Sequence, residues 1–565
     1  MRFFPILLIP LLISLLLVNA CAGSPTSPTP TPELDRQMET PTAPAATDTP
    51  QPTATLSPPA KGGKPPGKGG RVVIGGLGRP DTLNPLLAES ETSHALVPLL
   101  FDSLLATDPN SGQLTPRLAA TWTVADDSQT ITFTLRPDAR WHDGRPVVAG
   151  DVVFTIESAR DPALDSLYGP RLSHVAQVRA PDDRTIVVSL DSPHCPSLAA
   201  LGELPILPQH LPTEVTGTAQ SAPHLKPVGS GPFVFVEQTA EGEVRLAGNA
   251  NYWDGPPYLD AWSYRPFETA ADLQNALEAG QIDVAWLPPG RLPGLTAHHV
   301  YRYPAPEFVF VAFNNDHPIL GDPQVRLALS MAVDREEILG RTLDGAGTLI
   351  AGSLPATHWA ADPMLQPPAY DPDRARQLLA AAGWTDSDGD GWLDRNGERL
   401  RLPVRTNGGN RLREDVATLV AGYYRALGID ASVEFVGWPV LLDDFFTHDF
   451  DAVVFSWPLQ AEPDQSRWWL STENEVGVGD NFVSFADKQV DRMLDEALAV
   501  PGCDAGRRAE IYRRIQRALV RERPYDFLFA PDAALVTREG VSGLQPGPFA
   551  SPFWNVAEWT VSPPD

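Results

Sequence analysis

The stretch FTLRPDARWHDGRPVVAGDVVFTI (residues 133–156) changes texture twice. Ile131, Phe133 and Leu135 alternate with threonines, the pattern of a strand with one buried face. Asp143-Gly144 then supplies turn chemistry, because Asp caps its own backbone and Gly accepts positive φ. From about Ala149 the apolar spacing lengthens, which predicts a helix. A strand, a turn and a helix in so short a span point to an α/β protein.

The same alternation recurs downstream. In ADLQNALEAGQIDVAW a helix stops at Gly280 and a strand runs through Ile282, Val284 and Trp286. GDPQVRLALSMAVDREEILG starts with Asp322 as cap and Pro323 as first helical residue, and YDPDRARQLLAAAGW repeats the device with Asp371 and Pro372, ending at Gly383. DVATLVAGYYRALGI places Val416, Leu419, Val420 and Tyr423 on one helical face, stops at Gly428 and passes into the strand ASVEFVGW. DFDAVVFSW reads as another strand, and AGRRAEIYRRIQRALVRERPYDFLFAP as a long helix and then a strand. Alternating elements of this kind predict mixed sheets, and 565 residues predict two or three domains.

The first residues have a different character. Arg2 precedes an apolar run over residues 3–18 that is interrupted by Pro5 and Pro10, and Ala20 stands before Cys21. This is a secretory signal ending in a segment that resembles the lipobox of bacterial lipoproteins, so residues 1–21 are read as signal peptide and Cys21 as the lipid attachment site. Residues 22–70 are rich in Pro, Thr, Ser, Ala and Gly and cannot build a core, so they are read as a disordered tether. Within the tether GGKPPGKGG fails as a phosphate loop, since Gly69 follows Lys68 where Ser or Thr is needed. A formal net charge of -28 argues against a nucleic-acid partner. Cys195 and Cys503 read as two unrelated thiols, with a disulfide open to an exported protein. No Cys/His spacing supports zinc.

Taken in order, LTPRLAATWTV, the 133–156 stretch, PVGSGPFVF, NANYWDGPPYLD, GQIDVAW, FNNDHPILGDPQVRLALSMAVDREEIL and YDPDRARQLLAAAGW resemble segments of the family 5 extracellular solute-binding proteins. These are the oligopeptide, dipeptide and nickel binders of ABC importers, and the resemblance covers nearly all of residues 71–563. It implies an α/β, two-lobed periplasmic-binding-protein-like fold (type II, large cluster with an extra subdomain), with mixed sheets and a hinge between the lobes. Lobe I would take residues 71–308, with the extra subdomain near 100–225. Lobe II would take 309–523, and 524–565 would return to lobe I. The implied protein is a monomeric receptor outside the bacterial cell membrane, anchored by its lipidated cysteine. It would hand a peptide-like or other small solute to an ABC permease. An oligosaccharide receptor and a sensory receptor of the same fold are the alternatives.

The family cleft lies between the lobes. The resemblance places Trp457 at the tryptophan that ends a lining strand, and Gln460 where oligopeptide binders have an aspartate for the peptide's amino group. A neutral Gln lacks the charge-assisted bond that a buried ammonium needs. Glu462 and Asp464 are candidates to replace it. Thr92, Ser93 and His94 match a ligand-facing segment, Phe313 and Asn314 lie at the lobe crossing, and Trp438 and Trp468 are further aromatic candidates.

Enzyme chemistry finds no support. VGSGPF lacks the outer glycines of a nucleophile elbow, and His298-His299 has no glutamate at helical spacing. His142, His174, His194, His210 and His224 are not grouped for nickel, and no redox cofactor motif is present. In DSDGDGWLDRNG, Asp386, Asp388, Asp390 and Asp394 take positions one, three, five and nine of a calcium loop, with Gly391 at six. Position twelve is Gly397 instead of Glu, and no second helix is expected. The readings are an Asp/Gly turn or a structural calcium clip, the one cofactor the sequence suggests.

Overall fold

The structure is a computed structural model that describes residues 69–211, 226–289 and 298–562. Cys21, the signal, nearly all of the tether, and His224 lie outside those residues. Among the described residues the first twenty strands follow in chain order. They are β1 (Arg71–Leu77), β2 (Leu105–Thr107), β3 (Leu114–Pro116), β4 (Ala119–Val124), β5 (Thr130–Leu135), β6 (Val175–Arg179), β7 (Thr185–Leu190), β8 (Phe233–Gln238), β9 (Val244–Gly248) and β10 (Ala261–Phe267). After these come β11 (Val284–Leu287), β12 (His299–Pro304), β13 (Glu307–Phe313), β14 (Gly347–Leu349), β15 (Asp394–Arg395), β16 (Glu398–Arg399), β17 (Val404–Asn407), β18 (Val433–Val436), β19 (Ala452–Pro458) and β20 (Tyr525–Thr537).

Residues 133–156 fold as their pattern predicts. Ile131, Phe133 and Leu135 of β5 are buried, in a four-stranded sheet of order β4-β5-β7-β6. Gly144 turns with φ +88°, and a helix follows over Ala149–Arg160. Asp151 caps it, accepting from Val148 N at 2.9 Å and from Trp141 Nε1 at 3.1 Å. His142 joins this segment to the PVGSGPF loop: its Nε2–H donates to Gly231 O at 3.1 Å, and its Nδ1 accepts from Gly229 N at 3.1 Å. Burial pushes its pKa below the ordinary histidine value, which keeps the neutral ring that both bonds require.

A long sheet runs through both lobes, in the order β18-β17-β19-β13-β20-β11-β1-β10-β9-β8, with β12 and β14 also paired to β20. β1 is parallel to β10 and β11, and β17 is parallel to β18 and β19, so the sheet is mixed. β20 belongs to both halves. Its residues from Tyr525 to Phe529 pair with β13, and those from Asp532 to Thr537 pair with β12. The chain passes between the halves at Ala305-Pro306, a little before the expected boundary at 308, and again near Pro531, a little after the expected one at 523, and there Ala305 N donates to Pro531 O at 2.7 Å. Two adjacent strand crossings form a narrow hinge.

Each lobe has its own core. Val72, Ile74, Phe133, Ile156, Phe233 and Trp262 share one cluster, so the four-stranded sheet packs with the first lobe. In the second lobe β13 separates two clusters. Phe308 and Phe310 face one, and Val309, Val311 and Phe313 face the other, as the two-residue period of a strand requires. In the helix Arg411–Ala426 the inward face is Val416, Ala417, Val420, Ala421 and Tyr424, with Leu419 and Tyr423 at its edge.

Cys195 and Cys503 are not separate thiols. They form a disulfide with 5.3 Å between Cα atoms. A separation of 308 residues carries no information about proximity, which the lobe packing supplies. Among the described residues, no helix is long and apolar enough to cross a membrane.

Candidate functional site: a two-chambered interlobe cleft

Two adjoining cavities, of about 600 and 670 Å³, lie between the lobes and share His94, Pro306, Ala550 and Ser551 in their walls. The first is walled by Phe101, Leu105 and Thr107 on one side and by Leu459, Gln460 and Glu462 on the other, with Phe549 and Trp554 from the C-terminal segment. The second is lined by Glu91, Trp286 and Tyr303 of the first lobe and by Glu307, Arg413, Ser456 and Trp457 of the second.

The expected ligand residues divide. Trp457 lines the second cavity; its Nε1 donates to Tyr525 Oη at 3.1 Å, and its ring stacks on Trp468 at 5.2 Å. Trp468 is buried beneath it and lines neither cavity. Gln460 lines the first cavity and is exposed. Glu462 also lines it, but both its oxygens are taken by Arg508, at 3.1 and 2.5 Å. Asp464 lies outside both walls and accepts from Ser466 N and Oγ at 3.1 and 2.5 Å. Burial pushes its pKa above the usual carboxylate value. Neither acid is therefore a free counter-charge.

Thr92 and Ser93 are buried on the inner face of the helix Glu91–Leu100. Thr92 Oγ1 donates to Leu77 O at 3.3 Å, and Ser93 Oγ lies 2.6 Å from Asp81 Oδ1. His94 alone of the three lines the cleft, in both chambers. Phe313 is a core residue with no exposed surface, because the strand period turns it inward. Asn314 is buried, and its amide donates to His448 O at 2.9 Å and Phe450 O at 3.0 Å, holding a loop in place. Trp438 is 46% exposed and stacks on Phe455 at 6.0 Å without lining either cavity.

Sequence reasoning missed the charged groups of the second cavity. Glu91 has no hydrogen-bond or ion-pair partner among the described residues. Desolvation, and then the nearby charge of Glu307, pushes its pKa above the usual value. Glu307 Oε2 accepts from Ser456 Oγ at 3.0 Å, and Ser456 Oγ accepts from Arg413 Nη2 at 2.6 Å. The Arg413 guanidinium lies 4.2 Å over the Phe455 ring. Two carboxylates and one guanidinium leave a formal charge of one negative in a chamber otherwise lined by His94, aromatic rings, prolines, serines and small apolar residues. That suits a ligand carrying one positive charge. Helical phase could have found Glu91: it stands three residues before His94 and so shares its face, while Thr92 and Ser93 turn inward.

The aspartate loop connects the helix Pro372–Ala381 to β17 and contains the β15–β16 hairpin. Ligand oxygens of Asp386, Asp388 and Asp390 lie within 4.8 Å of one another, all exposed. Asp386 accepts from the amides of Gly389 and Gly391, and Asp390 is paired with Arg399. Asp394 stands outside the group and accepts from Ser387 N at 2.9 Å and from its hydroxyl. None of the four lines the cleft.

A family model for bacterial extracellular solute-binding proteins, family 5, matches residues 113–477. The chain belongs to this family. It is 27% identical over 510 residues to the oligopeptide-binding protein AppA of Bacillus subtilis, covering 88% of this chain and 92% of that one. It is 32% identical over 481 residues to protein XP55 of Streptomyces lividans, covering 84% and 86%. The structure of AppA in complex with a nonapeptide superposes with a TM-score of 0.67, covering 88% of this chain and 99% of that one. NikZ from Campylobacter jejuni in complex with Ni(L-His) is 25% identical, with a TM-score of 0.69 and 87% and 99% covered. As a family 5 protein, the chain is an extracytoplasmic solute-binding receptor with the two-lobed binding-protein fold.

Proposed function

We propose that this receptor is anchored to the cell membrane through a lipidated Cys21 and delivers to an ABC permease a small solute, peptide-like, that carries one ammonium group. The observation behind this reading is the second cavity, where Glu91 stands unpaired beside Glu307 and across from Trp457. The position that carries the ammonium-binding aspartate in oligopeptide binders is Gln460, and Glu462 is held by Arg508, so the first cavity lacks a free counter-charge on that wall. A ligand ammonium would therefore lie at the Glu91 end of the cleft. Capture, lobe closure and docking are all the mechanism requires, with no catalytic step.

Calorimetric titration with tetra-alanine and N-acetyl-tetra-alanine tests the reading. Binding of the free peptide and loss of binding on acetylation are expected. Equal heats for the two, or heat from neither, would contradict it. Mass analysis of the N-terminal fragment checks the anchor: a diacylglycerol mass on Cys21 is expected, and an unmodified N-terminus upstream of Cys21 would contradict it.

A further inference from the structure

The two strand crossings of the hinge lie side by side at Ala305 and Pro531. Among the described residues the Cys195–Cys503 disulfide is a third covalent link between the lobes. Cys195 precedes the helix Pro196–Gly202, whose Ala200 and Leu201 belong to the first lobe's core. Cys503 lies between the helices Lys488–Leu498 and Ala505–Glu522, whose buried faces belong to the second lobe's core. Hydrogen bonds cross the same boundary: Cys195 N donates to Leu498 O at 2.8 Å, Ser128 Oγ to Val500 O at 2.7 Å, and Trp359 N to Ser111 O at 2.9 Å.

The cavities order these links in space. The second chamber has the hinge residues Ala305, Pro306 and Ala533 in its walls. It adjoins the first chamber, and the first adjoins a third cavity of about 390 Å³ through Glu203, Ala461 and Glu462. Both cysteines line the third cavity, and no hinge-strand residue does. The disulfide therefore sits at an edge of the cleft that no hinge strand reaches.

Hinge opening displaces atoms in proportion to their distance from the hinge. A disulfide holds its Cα atoms within about 4.4–6.8 Å. With the bond intact the far edge cannot part. We propose that the Cys195–Cys503 disulfide is a redox latch on lobe opening. When oxidised, it restricts the lobes to small motions about the line from hinge to disulfide; when reduced, it lets them swing fully. The reductant is a dithiol. Its thiolate attacks Cys503 Sγ, which is partly exposed while Cys195 is buried, and Cys195 leaves as a thiolate and takes up a proton. The second thiol of the reductant, as its thiolate, then attacks the reductant's own sulfur in the mixed disulfide, and Cys503 leaves as a thiolate and takes up a proton. The protein gains two thiols and the dithiol becomes a disulfide.

The test uses ligand-free mature protein in three forms: as isolated, reduced with dithiothreitol, and as the Cys195→Ser/Cys503→Ser variant. Peptide mapping should find the 195–503 linkage in the isolated form. X-ray scattering should then show a radius of gyration near the roughly 24 Å expected for the chain length, rising by about 1 Å on reduction. The variant should match the reduced form and not respond to dithiothreitol. Hydrogen exchange should quicken at residues 459–462 and 498–503 and stay slow in β4 to β7. Absence of the linkage, or equal radii in the oxidised and reduced forms, would overturn the latch. So would faster exchange throughout β4 to β7, which would make the bond a fold staple only. Should the variant fail to fold, reduction of the folded wild type decides alone.

Discussion

Replacing Glu91 by Gln keeps the side chain's size and removes its charge. If Glu91 holds a ligand ammonium, the change should weaken binding of tetra-alanine about 10- to 100-fold, the worth of one hydrogen bond to a charged group. Gln460→Ala should leave the same titration nearly unchanged, and the reverse ranking would move the ammonium to the first chamber. A pH effect arises at His358, whose Nε2–H donates to Ala461 O at 2.9 Å and whose Nδ1 accepts from Ala360 N at 3.0 Å. Burial lowers its pKa from 6.5 to about 4. The folded protein therefore takes up this proton later than the unfolded chain does. Its stabilising effect is complete above pH 6.5 and is lost as pH falls toward 4, by at most about 3 kcal/mol. Thermal unfolding across that window should show a shallower slope in His358→Gln; an unchanged slope would contradict this assignment. At this scale the sequence was only partly legible. Trp457, Gln460 and His94 were readable from motif position. Glu462 was not readable as an occupied acid, because its partner Arg508 lies 46 residues away in the chain.

Elements were far more legible. Residues 133–156, the Asp-Pro helix starts at 322–323 and 371–372, and the glycine stops at 280, 383 and 428 each carry a local cause, and each is where its cause places it. The PVGSGPF loop shows what a local pattern leaves out. A Cβ on Gly229 would stand 1.7 Å from Leu100 O, so this glycine is required by a helix over a hundred residues away. Gly229→Ala should displace the loop and break the pair of His142 bonds, lowering stability by several kcal/mol. A thermal midpoint within a degree or two of wild type would show that the loop yields instead. Phe313 illustrates the opposite error: proximity in sequence to the lobe crossing suggested a ligand contact, whereas the strand period sends it into the core.

For the whole molecule, the family fold could be read from the order of many moderate motifs, while the cleft's charge could not. The first chamber, the second chamber and the disulfide-lined cavity are assembled by segments from helix Glu91–Leu100 to residues near 550, and no local signal orders such distant side chains. On the proposed reading, the same assembly holds a small solute that carries a single positive charge. Native mass spectrometry of the protein, purified without unfolding, addresses this most directly. A bound small molecule that bears a protonatable amine, released on denaturation and absent from the Glu91→Gln variant purified in parallel, is the predicted result. A retained ligand without an amine, such as a neutral saccharide held equally by wild type and Glu91→Gln, would contradict it.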